Sequence, residues 1–151
     1  MADTKKILGG LVMRKVLLVT FVLLMSLTTL AFANGIYDEA VVWTAVPSES
    51  LAGISYAYAP EFTRISPQGR LETVIKSTQP STHYLSNYLI EKTYVTPAFD
   101  RYIIVACGKF KQDGSTIKIS PECDKDWRPL LPGTQYEQCL QAAYQYAKSK
   151  K

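Results

Sequence analysis

The sequence predicts an α+β fold, an antiparallel sheet of about five to six strands with a C-terminal helix packed on it. Three observations carry that expectation. Two apolar runs fold back on themselves through tight-turn residues, a capping box opens an apolar helical stripe near the end, and strand-like runs precede that stripe in succession.

The elements follow in chain order. Ala40 to Val46, "AVVWTAV", is a β-branched apolar run closed by Pro47, which predicts a buried strand. Ile54 to Ala59, "ISYAYA", alternates large and small residues and predicts a second strand with Ile54, Tyr56 and Tyr58 on one face. Ser66 to Gly69, "SPQG", places serine, proline and glycine where a type I turn wants them, so "FTRI" and "RLETVIK" should form a hairpin. Between Ser77 and Phe99 the pattern is ambiguous. Tyr84, Leu85, Tyr88 and Leu89 recur at four-residue spacing, which favours a helix over a strand ending at "TYV". Arg101 to Phe110, "RYIIVACGKF", is the strongest strand, and Asp113-Gly114 turns it back into "STIKIS". Thr134 and Glu137 form the capping box of a helix from Thr134 to about Lys148, with Tyr136, Cys139, Leu140, Ala143 and Ala147 on its inward stripe.

Ahead of this domain stands an export signal. Arg14 and Lys15 precede an uncharged run from Val16 to Ala33 whose strongly apolar part, Val16 to Met25, is shorter than the roughly 20 residues of a spanning helix. It closes on Ala31-Phe32-Ala33, with small residues where a signal peptidase reads. Residues 1–33 are therefore expected to be a signal peptide, or failing cleavage a signal anchor, and 34–151 a single globular domain. Either Met1 or Met13 serves as a start. The expected location is the periplasm or the cell surface, with membrane contact only through Val16 to Ala33 if uncleaved.

Removing the leader also removes most of the excess charge. It carries Lys5, Lys6, Arg14 and Lys15 against Asp3, so of 17 basic and 13 acidic residues 13 and 12 remain, a net charge of +1. Nucleic acid is not an expected partner, because the domain lacks the basic stripe that phosphate binding requires. All ten tyrosines lie after the leader. Tyr56 and Tyr58 are the candidate binding residues, on the expectation that the small alanines of "ISYAYA" pack inward and leave the rings to solvent. The competing arrangement turns the tyrosines towards the terminal helix.

In an exported chain cysteines are usually paired, and three leave one over. Cys107 falls on the strand face of Ile103 and Val105 and Cys139 on the apolar face of the helix, so a Cys107–Cys139 disulfide would staple helix to sheet. Cys123 with Cys139 is the alternative pair. The first pairing leaves Cys123, in a polar loop, as the free thiol. Chemistry-bearing motifs are sparse. His83 is the single histidine, and no CxxC, HExxH, phosphate loop or GxSxG occurs. Glu122, Asp124 and Asp126 crowd carboxylates into five residues without the glycine and closing glutamate of a calcium loop, which predicts a solvated loop. No catalytic residue, metal or cofactor is assigned.

The tryptophan strand "VVWTAV", the strand "YIIVACG" and the late stretch "WRPLLPGTQYEQCL", with Trp127, Pro129, Pro132, Gly133, Cys107 and Cys139, resemble small exported bacterial proteins of the surface-adhesin protein E type. The resemblance covers about 30 residues well. It implies an extracytoplasmic, non-catalytic binding role, with Cys107 and Cys139 paired. The expected function is an exported binding or accessory domain, adhesin-like, whose partner is a protein or an envelope or surface component. The alternatives are a membrane-anchored component of an envelope assembly or secretion apparatus and, last, a small hydrolase.

Overall fold

A computed structural model describes residues 35–37, 40–47, 53–80 and 87–150. The chain divides into two compact units, Met1–Gly35 and Ile36–Lys151, and the expected leader lies outside the described residues. Among those residues no helix is long and apolar enough to cross a membrane.

The second unit is an α+β domain. Its strands are β1 (Thr44–Val46), β2 (Ser55–Tyr58), β3 (Arg64–Ile65), β4 (Leu71–Thr78), β5 (Tyr88–Val95), β6 (Arg101–Phe110), β7 (Thr116–Ser120) and β8 (Arg128–Pro129), and its helix is α1 (Gln135–Ser149). All pairings are antiparallel, in the order β1-β2-β4-β5-β6-β7, with β3 added to β4 and β8 to β6.

Both expected hairpins form. Gly69 N donates to Ser66 O over 2.9 Å, and Gly69 takes φ 79°, the left-handed conformation glycine adopts without Cβ strain. Asp113-Gly114 closes β6 onto β7 in the same way, with Lys111 N donating to Ser115 O at 2.9 Å and Gly114 at φ 84°. The helix also begins as its sequence dictates. Thr134 is its N-cap, accepting from Glu137 N at 3.2 Å, and Cys139, Leu140, Ala143 and Ala147 form the buried stripe.

Two expectations fail. The segment expected to be helical supplies β5 from Tyr88 onward, and residues 81–86, which include His83 and Tyr84, lie outside the described residues. Simple alternation is hidden because both faces of β5 carry apolar side chains, with Leu89 lining the cleft and Ile90 in the core on the opposite face. The run Ala40 to Val46 is not a buried strand. Only Thr44–Val46 pairs, at the sheet edge, while Val41 and Trp43 pack on the face opposite α1 and Val42 stays 71% exposed.

The sheet therefore carries two cores. On one face, Tyr58, Leu71, Ile75 and Val95 pack beneath Cys139, Leu140, Ala143 and Ala147 of the helix. On the other, Val74, Ile90 and Phe110 pack beneath Ile36, Val41 and Trp43. Gly108 belongs to this second face, where the rings of Phe110 and Tyr37 reach within 2.6–2.8 Å of the place a Cβ would take, so no larger residue fits there.

Candidate functional site

The helix lies over β1–β4, so the same face of β5–β7 is left without a helical cover. A single irregularity decides which side chains that open half presents. Lys92 pairs with Ala106 but Thr93 with Ile104, so Val105 is an extra residue in β6. Such a bulge reverses the alternation of one strand against its neighbour. Tyr102 and Ile104 therefore share a face with Cys107, and all three stand opposite Val95, Thr93 and Glu91.

The result is a cleft of about 320 Å³ between the helix N-terminus, the β8 segment and the sheet, with Glu91 in its floor. Three tyrosines from three elements wall it: Tyr56 from β2, Tyr102 from β6 and Tyr136 from the first turn of α1. Tyr56 packs edge to face on Tyr136 at 5.8 Å, and Tyr102 packs at a tilt on Tyr136 at 5.2 Å, between centroids. The Tyr136 hydroxyl shares a 2.8 Å hydrogen bond with the Thr93 hydroxyl. Burial pushes the Tyr136 phenol well above its ordinary range, with the Glu91 charge adding to the effect, so it stays a neutral donor.

Glu91 is the unusual group. Desolvation in the cleft floor raises its carboxyl to about 7, with Asp124 adding to the rise and Arg128 and the Tyr136 hydroxyl opposing it. The group therefore titrates near neutral pH. Arg128 borders the cleft at the β8 end, hydrogen-bonded to Tyr102 and paired with Asp124. Asp124 itself is a latch: its carboxylate accepts from Ile104 N at 3.0 Å and its own N–H donates to Ile104 O at 2.9 Å. Beyond Glu91 and Arg128 the cleft continues into a second hollow of about 360 Å³ over β6 and β7, floored by Cys107, Lys109, Lys118 and Ser120.

The cysteines sit differently from the expectation. Cys107 is bonded to Cys123, and Cys139 is a fully buried thiol. The expected Cys107–Cys139 staple fails because Cys139 packs in the core with Leu71 and Ile75 of β4, whereas Cys107 is on β6, two strands or roughly 10 Å further across the sheet. Cys123 is thus not the spare thiol. The bond ties the β7-to-α1 connection to the open half of the sheet and closes a separation of 16 residues, a stabilisation of about 3 kcal/mol on chain entropy.

The tyrosine pair "SYAY" also faces inward. Tyr58 is buried against Tyr146 of the helix at 5.7 Å between centroids, and Tyr56 is half-buried against Tyr136. The rings, not the alanines, meet α1, because the helix needs broad apolar partners for its small residues Ala143 and Ala147. Tyr56 keeps one side on the cleft; Tyr58 does not line it. Of the carboxylates in "ECDKD", Asp124 serves the latch, and among the described residues no cluster of histidine, cysteine or carboxylate side chains is placed to hold a metal ion. Glu91 escaped sequence reasoning altogether; its one signal was a lone carboxylate inside the strand "YLIEKTYV".

No protein-family model matches the chain, and neither a curated protein nor a solved structure is significantly similar to it.

Proposed function

We propose that this chain is an exported binding domain, adhesin-like in its use, that engages a protein or surface component of the envelope through the cleft at Glu91. The observation that carries this reading is the convergence of Tyr56, Tyr102 and Tyr136, from three separate elements, around one half-buried carboxyl in an open cleft. Rigid aromatic walls with a few convergent polar groups are what a ligand site needs. The Cys107–Cys123 disulfide fits an oxidising compartment, and the leader supports export.

The test has two arms. N-terminal sequencing of the protein from a periplasmic or surface fraction should give Asn34 as the first residue; retention of Val16 to Ala33 in membranes would favour the anchored envelope component instead. Binding of the mature domain to arrays of envelope-derived proteins and surface glycans should weaken at least about tenfold for Tyr102→Ala and Glu91→Ala. Equal binding by both variants and the wild type would sink the cleft as the ligand site.

A second reading, a small hydrolase, draws on one observation: a carboxyl near 7 in a cleft is suited to proton transfer at neutral pH. Turnover of ester or glycoside substrates that Glu91→Gln abolishes would establish it.

A further inference from the structure

We propose that the hollow beyond Glu91 is an oxyanion subsite built on Lys109 and Lys118, and that the ligand is an acidic saccharide whose carboxylate or sulfate lies there while its ring extends towards the tyrosines. This rests on the cleft being the ligand site.

Lys109 and Lys118 are direct cross-strand partners in the β6–β7 ladder. Direct partners hold their Cβ atoms roughly 5 Å apart on one face, an arrangement that is unfavourable for like charges unless something neutralises them. Neither lysine takes part in any of the ion pairs formed among the described residues, which join Arg64 and Arg70 to Glu72 and Arg128 to Asp124. Both side chains are exposed and line the same hollow, with Ser120 beside them. Two ammonium groups and a hydroxyl converging on one concavity can be satisfied together by an oxyanion.

The acids that share the hollow do not cancel the pair. Asp124 is consumed by Arg128 and the Ile104 amide, and Glu91 lies at the junction with the tyrosine cleft. Glu122, exposed at the mouth, is the one opposing charge left over. Next to this basic end, the first hollow offers Ser77, Gln79 and Glu91 as polar partners for hydroxyl groups between the tyrosine rings. Aromatic faces flanked by amide, hydroxyl and carboxyl groups suit a sugar ring. One ligand that uses both ends is therefore a sugar bearing an anionic group.

The experiment titrates the mature, oxidised domain with a uronate-containing disaccharide, a sulfated disaccharide and their neutral counterpart, following backbone amide shifts and heat. The acidic sugars should bind at least about tenfold more tightly than the neutral one, with amide shifts at Lys109, Lys118 and Ser120, and should weaken as salt rises. The uronate and sulfate arms identify which oxyanion is taken. Lys109→Gln and Lys118→Gln should each remove most of that preference and leave the neutral sugar unchanged, whereas Glu122→Gln should strengthen it. Equal affinity for neutral and acidic sugars, lysine variants that bind like wild type, or no saccharide binding at all would overturn the proposal. If neutral sugars alone bind and depend on Tyr102 and Glu91, the oxyanion subsite fails while the cleft stands.

Discussion

Glu72 and Glu91 stand on neighbouring strands and opposite faces of the sheet, and the fold treats them in opposite ways. Glu72 is clamped. Arg64 donates to one of its oxygens from Nε at 2.9 Å and from its terminal nitrogen at 2.7 Å, and Arg70 donates to the other at 2.7 Å, while the Arg70 guanidinium stacks 4.3 Å over the Tyr94 ring. Burial alone would raise this carboxyl, but the hydrogen bonds and charges of Arg70 and Arg64 outweigh it and hold the group below its usual value. Glu91 has the burial without the clamp, since its nearest guanidinium is committed to Asp124. One carboxylate is completed by its own neighbours; the other is left for something else to complete. That difference separates a structural carboxylate from a candidate functional one more cleanly than burial does.

The largest effect that bears on this contrast comes from the open half. Replacing Cys107 and Cys123 by alanine should cost about 3 kcal/mol in urea unfolding, and should loosen the cleft without disturbing Glu72. The buried Cys139 thiol, pushed up to about 12 by desolvation, should resist alkylation in the native wild type and react once upon denaturation. A thiol that labels in the folded protein would contradict the pairing.

Next, breaking the clamp with Arg70→Leu should destabilise by about 2 kcal/mol at neutral pH, because it leaves a buried charge with one exposed partner. The sign with pH follows from the lowered value. A depressed carboxyl contributes stability above its unfolded value of 4.5 and loses it as pH falls through the folded value. The penalty of Arg70→Leu should therefore shrink in acid, and a pH-independent penalty would mean that packing on Tyr94 dominates.

Glu91→Gln should act in the opposite direction. With a folded value near 7 against 4.5 unfolded, both states hold the proton at low pH, the unfolded chain releases it first as pH rises, and the native state loses stability until about pH 7. The substitution should thus be neutral near pH 4 and stabilising above pH 7 by about 1 to 2 kcal/mol, allowing for the opening of the cleft to solvent. A destabilising effect at pH 8 would show that Glu91 is held charged. The smallest effect is Tyr136→Phe, about 1 kcal/mol from the lost Thr93 hydrogen bond, with an upward shift of the Glu91 titration by NMR, because the Tyr136 hydroxyl opposes the rise of that carboxyl.

Local elements are readable in the sequence on both faces, and what packs against them is not. Both hairpins, the capping box and the helix stripe were legible because each is local: turn residues and caps act within a few positions. β5 is hard to read because apolar side chains stand on both of its faces, Leu89 and Val95 on one and Ile90 and Tyr94 on the other, so it displays no clean alternation. The bulge at Val105 left no sequence trace, yet it placed Cys107 with Tyr102 and Ile104, and so hid both the disulfide partner and the cleft. Tyr56 and Tyr58 were identified as a pair on one face, but which face meets the helix is set by long-range packing that no local pattern encodes. Glu72 and Glu91 look alike in sequence; only the register, which gives one the arginines and the other Ile75 and Cys107, tells them apart.

The short β8 pairing has a further consequence for how safely this sheet behaves at high protein concentration. Strand β6 outruns β7, and the β7-to-α1 connection returns to cover the remainder, pairing Arg101 and Tyr102 with Pro129 and Arg128 and latching Ile104 through Asp124. Among the described residues the uncovered edges are short: the three residues of β1, the two-residue β3 and β8, and the five of β7, where Lys118 interrupts the exposed Ile117 and Ile119. Short, charge-interrupted edges resist edge-to-edge aggregation. Reduction of Cys107–Cys123 should loosen the returning connection, and the reduced chain should therefore aggregate faster than its loss of stability alone would predict.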